Sequence, residues 1–118
     1  MKIKDIAATL SAVVLTPDAD LEREVFSACG SDMMSDVLAY VKNQAVLLTG
    51  LNNPQVIRTA EMMDMLCVVF VRGKTPDSAI IDMAVSKGIA VLATEKTMFI
   101  ACGILYSEGL MEEEKNER

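Results

Sequence analysis

Ala45-Val46-Leu47-Leu48-Thr49-Gly50-Leu51-Asn52-Asn53-Pro54 is the stretch on which the fold turns. Its first five residues carry no charge and run into a glycine, which reads as a buried strand. Asn53-Pro54 then supplies a helix N-cap and a proline at the first helical position, and Val56, Ala60 and Met63 recur at helical spacing. The pattern repeats downstream. Cys67-Val68-Val69-Phe70-Val71 stops at Arg72-Gly73-Lys74, and Thr75-Pro76-Asp77 is a second cap-plus-proline start. Ile81, Ala84 and Val85 form the apolar face of that helix, and Gly88 is its C′ stop. Ile89 to Ala93 is a third strand. A last helix runs from near Thr97 to near Gly109, with Ile100, Ala101, Ile104 and Leu105 on one side.

The three strands start 22 residues apart each time, at Ala45, Cys67 and Ile89. Strand–helix alternation at that period predicts an α/β fold: a layered sheet, mainly parallel in the C-terminal two-thirds, built of consecutive β-α units with helices on both faces. Ala45–Thr49, Cys67–Val71 and Ile89–Ala93 are expected as adjacent parallel strands. Their continuous apolarity fits burial on both sides. The N-terminal third is less regular. Lys2 to Thr9 predicts a short helix, Ala12 to Thr16 a strand, Pro17 to Asp20 a turn and Val25 to Cys29 another strand. Ser31 is expected to cap a helix with Asp32 in its first turn and with Met34, Val37, Leu38 and Val41 along one face. Residues 1–110 are expected to form one domain and 111–118 an acidic tail, carrying Glu112, Glu113, Glu114 and Glu117.

Composition narrows the chemistry. Of 118 residues 52% are hydrophobic but only 4% aromatic, so core bulk must come from aliphatic side chains and from nine Met. The net charge of −6, with no basic stripe, argues against nucleic acid as a partner. No apolar stretch is long enough to span a bilayer, and the N-terminal segment predicts no signal peptide. Cys29, Cys67 and Cys102 are dispersed, with no C-x-x-C, which predicts free thiols in the cytoplasm and neither disulfide nor metal site. There is no histidine, which excludes Ser-His-Asp and Cys-His catalysis and His-ligated metals. No cofactor is implied.

In a parallel sheet, ligands bind beyond the carboxyl ends of the strands, where helix N-termini point. Those ends carry Gly30-Ser31-Asp32, Thr49-Gly50-Leu51-Asn52-Asn53, Arg72-Gly73-Lys74-Thr75 and Thr94-Glu95-Lys96. Small residues allow close backbone approach, and Ser, Thr and Asn offer hydrogen bonds. The candidate ligand-binding residues are Ser31, Asp32, Thr49, Gly50, Asn52, Asn53, Arg58, Arg72, Gly73 and Thr94. Turn and cap chemistry requires the same residue types. Neither G-x-x-x-x-G-K-[ST] nor G-x-G-x-x-G occurs, and Gly73-Lys74-Thr75 matches only the end of a phosphate loop. Asp32 and Asp36, four apart, would share a helix face, as an acid–base or cation pair or as a solvated helix start. Arg58 lies one turn into its helix, within reach of an anion at that N-terminus. Gly103, inside the last helix, predicts a close approach by a neighbouring helix or a second subunit.

Four segments carry a family resemblance: Cys29-Gly30-Ser31-Asp32-Met33-Met34-Ser35-Asp36-Val37-Leu38-Ala39, Leu48-Thr49-Gly50 with Asn53, Val71-Arg72-Gly73-Lys74-Thr75-Pro76, and Phe99-Ile100-Ala101-Cys102-Gly103-Ile104-Leu105-Tyr106 with Gly109-Leu110. In this order and spacing, from about Glu24 to Leu110, the chain resembles the DRTGG domain family. That family is similar to the N-terminal domain of the bacterial phosphocarrier-protein serine kinase. Gly50-Leu51-Asn52-Asn53-Pro54 stands where the pentapeptide that names the family would fall. The resemblance implies a non-enzymatic regulatory or interaction domain, often self-associating, found on enzymes, beside nucleotide-sensing modules or alone.

Three functions fit these features. The first is a stand-alone regulatory or ligand-sensing module, a homodimer holding a small anionic or nucleotide-like ligand at the strand carboxyl ends. The second is a small enzyme acting on a phosphorylated metabolite, with Asp32 or Asp36 as base and Arg58 or Arg72 on the phosphate. The third is a purely structural protein partner in a larger complex. Convergence of carboxylates and arginines in one cleft separates the second from the others.

Overall fold

Strands form where the uncharged runs place them. A computed structural model describes residues 1–39 and 44–111. In chain order the elements are α1 (Ile3–Thr9), β1 (Val13–Val14), β2 (Ser27–Gly30), α2 (Met34–Leu38), β3 (Ala45–Thr49), α3 (Gln55–Met62), β4 (Cys67–Phe70), α4 (Ser78–Lys87), β5 (Ala90–Ala93) and α5 (Met98–Ser107). One five-stranded sheet has the order β1-β5-β4-β3-β2. β2 to β5 are parallel neighbours, in register at Ala28↔Val46, Leu47↔Val68 and Val68↔Val91. β1 closes the far edge antiparallel to β5, pairing Val13 with Ala93.

From β2 to β5 each crossover steps to the next strand in the same direction. Right-handed crossovers that all step one way place their helices on one face. Accordingly Met34 and Val37 of α2, Val56, Ile57 and Ala60 of α3, and Ile80 and Ala84 of α4 pack with Leu47, Val68, Phe70 and Val91. The alternate strand residues, Val46, Leu48, Cys67, Val69 and Leu92, face the other way. They meet Ile3 and Ile6 of α1 and Ala101 and Leu105 of α5. Both faces are covered, so the strands contain almost nothing but apolar side chains.

Several local expectations shift. α4 starts at Asp77, not Thr75: Asp77 is extended and its Oδ1 accepts the Ile80 N–H at 3.0 Å. Aspartate is the stronger cap, and Pro76 sits outside the helix before it. The buried face of α4 is Ile80 and Ala84, while Val85 is 46% exposed, one of the exposed large apolar residues. Gly88 is the left-handed stop expected, with φ +72°. α5 is capped by Thr97, whose Oγ1 accepts the Ile100 N–H, but Ile100 itself is exposed. Ser31 does not cap α2; its Oγ accepts the Met33 N–H, and the helix begins at Met34. Asp32 therefore lies before the helix and shares no helical face with Asp36. β2 begins at Ser27 rather than Val25, because Val25 N–H donates to the Met1 carbonyl and Lys2 bridges Glu24. Among the described residues, and apart from the helix's own backbone, nothing lies within 4 Å of where a Cβ on Gly103 would be, so no described helix approaches it. Val41 and the acidic run Glu112 to Glu117 lie outside the described residues.

Candidate functional site

The carboxyl edge of the sheet carries a cluster drawn from four loops. Asp32, just past β2, sits beside the end of β3 because the two strands are parallel neighbours. Its Oδ1 accepts the Gly50 N–H at 2.7 Å and the Thr49 hydroxyl at 3.2 Å. Thr49, buried, accepts the Leu51 N–H in turn. The Asp32 Oδ2 faces Arg72 Nη2 at 3.8 Å, both side chains being 45% exposed. A pair so exposed is worth at most about 1 kcal/mol.

Arg72 reaches this position through its backbone. Arg72 and Gly73 have φ of +59° and +70°, and Lys74 N–H donates to the Val71 carbonyl across them. For an arginine the left-handed conformation costs roughly 1–2 kcal/mol. The turn lays the guanidinium on the backbone of Gly50, where any Cβ would overlap it. A Cβ at 50 would push the guanidinium aside from this seat.

Next to it the β4 and β5 loops diverge: the chain after β4 enters α4 on one face, and the chain after β5 enters α5 on the other. Loops that part in this way open a crevice in many α/β sheets. Here the crevice is stitched. Arg72 N–H donates to Lys96 O at 2.8 Å and Gly73 N–H to Thr94 O at 2.9 Å. The Thr94 hydroxyl donates to Leu10 O, and the Glu95 carboxylate lies against Gly73.

Of the candidate residues, Asp32, Thr49, Gly50, Arg72, Gly73 and Thr94 come together along this edge. Asn52 Nδ2 donates to the Thr75 carbonyl, and Asn53 Oδ1 accepts the Gln55 N–H. These two and Ser31 serve their own turns. Arg58 points outward from α3, whose buried side is Val56, Ile57, Thr59 and Ala60, and among the described residues its guanidinium has no hydrogen-bond or ion-pair partner. Glu95 and the Leu10 carbonyl join the edge without having been singled out. A turn of the form Arg-Gly after a strand, where the arginine itself takes the left-handed position, is the signal that was present.

A separate concavity lies elsewhere. It measures about 510 Å³ and opens at the amino ends of β4 and β5, over Leu66, Ile89 and Ala90, with Asp18 and Asp20 at its rim. The carboxyl end of α4 also faces it. Arg23 lines it as well and donates to the Gly88 carbonyl at 3.2 Å, so its charges are mixed. A second, of about 460 Å³, shares Arg23, Leu66, Gly88 and Ile89 with it. Among the described residues no cluster of three or more His, Cys, Asp or Glu could hold a metal ion. No helix of the described residues is long and apolar enough to cross a membrane.

These features define an open, singly wound α/β domain with a polar, loop-built carboxyl edge. Residues 5–106 match the DRTGG domain, and the chain belongs to that family. The match begins well before the segments that carried the resemblance. No curated protein matches the chain. Among solved structures, the fold is similar to that of the CBS and DRTGG domains of the regulatory region of a Clostridium perfringens pyrophosphatase, complexed with its activator diadenosine tetraphosphate. The TM-score is 0.73 at 20% identity, covering 88% of this chain and 45% of that one. The chain thus spans just under half the length of that relative.

Proposed function

We propose that this domain is a non-catalytic regulatory module that holds a small anionic, nucleotide-like ligand at the carboxyl edge of its sheet and self-associates through α5. The observation that carries the ligand reading is the half-exposed Arg72 guanidinium seated on Gly50, beside the Gly50 N–H and the Thr49 hydroxyl. A guanidinium with adjacent N–H and O–H donors is the donor set that a phosphoryl group takes. The ligand of the pyrophosphatase regulatory region supports the same reading. Against an enzyme, Asp36 and Arg58 do not join Asp32 and Arg72, and the chain has no histidine. Dispersed cysteines with no C-x-x-C fit a reducing, cytoplasmic setting.

Arg72→Ala weakens binding of diadenosine tetraphosphate by about 1.5–3 kcal/mol, the loss of one charged hydrogen bond. Titration calorimetry on the two proteins measures this. Equal affinities, or no binding by the natural chain, defeat the ligand reading.

Self-association rests on α5. The helix carries no charged residue, and Phe99 and Tyr106 are 83% and 68% exposed on either side of Gly103. A helix apolar on all sides is ordinarily covered. On a chain of net charge −6, an uncharged strip is where two copies meet without burying like charges. Phe99→Glu converts the dimer to a monomer by light scattering at micromolar concentration. A natural chain that is already monomeric there sinks the dimer.

A further inference from the structure

We infer that Asp32 is a resident occupant of the anion seat, a carboxylate that the ligand must displace, so that binding is read out as release of the loop before α2. This rests on the proposed ligand reading of the same edge. The Asp32 carboxylate has the placement of a bound anion: Oδ1 takes two donors, the Gly50 N–H at 2.7 Å and the Thr49 hydroxyl at 3.2 Å, and Oδ2 faces Arg72 at 3.8 Å. A phosphoryl oxygen offered to Arg72 and Gly50 would meet these same atoms, and the carboxylate would repel it. The occupant is weakly held. Its ion pair is long and half-exposed, and it comes from a three-residue connection, Ser31–Met33, that the Ser31 N–H ties to the Leu48 carbonyl at its start, while beyond Asp32 its side-chain bonds are internal, between Ser31 Oγ and the Met33 backbone. The connection leads straight into α2, because the Met33 carbonyl accepts the Asp36 and Val37 N–H groups. Leaving the seat therefore frees the start of α2, which turns occupancy into a change at that corner of the fold. Asp32 thereby sets both affinity and response, whereas a residue that merely stapled β2 to β3 would set neither.

The experiment uses inorganic pyrophosphate on the full chain, followed by amide resonances, with Asp32→Ala, Asp32→Asn, Arg72→Ala and the Asp32→Ala/Arg72→Ala double variant. Removing a like charge about 4 Å from the seat tightens binding roughly five- to tenfold or more, with the Gly50 amide shifting. Asp32→Asn keeps the shape and also gains. The double variant loses the gain. In the natural chain, saturating pyrophosphate speeds hydrogen exchange at Asp36 and Val37. If the natural chain binds and Arg72→Ala weakens it, but neither Asp32 variant binds more tightly, the displacement idea is overturned and the ligand reading stands. If neither the natural chain nor a folded Asp32 variant moves the Gly50 resonance, both fall. Should neither Asp32 variant fold, unchanged exchange at Asp36 and Val37 in the natural chain overturns the displacement.

Discussion

Replacing Phe70 with alanine lowers the unfolding free energy by about 3–5 kcal/mol, read from the urea midpoint. Phe70 is the largest fully buried side chain among the described residues, and it projects from β4 into the layer formed by α2, α3 and α4. With so few aromatic residues in the chain, little else can fill that space. Small domains hold about 5–15 kcal/mol in total, so this one change removes a large share. Its position at the carboxyl end of β4 adds a second consequence. The Phe70 carbonyl accepts the Thr94 N–H, two residues before the Arg72 turn, so loosening here reaches the anion seat. A loss below 1 kcal/mol would mean that the helical layer is not packed on this ring.

Stability falls steadily above pH 9, and Cys67 is the main cause. Its thiol is fully buried in β4, and burial alone pushes its pKa from the ordinary 9.0 up to about 12. The sign follows from which state holds the proton. Below pH 9 both the folded and unfolded chains carry it, and the group has no effect on the pH dependence. Between 9 and about 12 the unfolded chain has lost it while the folded chain keeps it, so unfolding is increasingly favoured as pH rises. The slope reaches about 1.4 kcal/mol per pH unit. Cys102, raised by its own burial and by the nearby Cys29 thiol, pushes the same way. Urea titrations at pH 8, 9 and 10 measure the trend, with Cys67→Ala as reference. Parallel curves for the two proteins would show that the thiol is not sequestered.

Much of the fold was legible along the chain. The uncharged runs at Ala45, Cys67 and Ile89 each became a strand, and the repeated spacing between them implied parallel pairing. Gly88 took the stop expected of it, and the last helix started at Thr97 where expected. Errors arose where two local signals competed. Thr75-Pro76-Asp77 offers two caps, and the choice depended on where Ile80 and Ala84 had to meet the sheet. Ser31 and Asp32 read as a helix start because a helical apolar pattern followed them. The chain there is instead committed to β3, with Ser31 N–H on the Leu48 carbonyl and Asp32 on Gly50.

Periodicity along the chain encodes which residues are strand, which are helix and which face is apolar, because these depend on neighbours a few positions away. It encodes strand direction as well, since strand–helix–strand units of this length close in one way. It does not encode which loops touch. Gly50 lies 18 residues after Asp32 and Arg72 lies 22 after Gly50, and only the strand order β4-β3-β2 lays their loops side by side. The same order left Arg58 and Asp36 outside the cluster, although both carried the right chemistry. Where the Arg72 guanidinium rests beside Asp32 depends on a left-handed backbone at one residue and a missing Cβ at another. Those two requirements come from different strands, and they meet only when the sheet has formed.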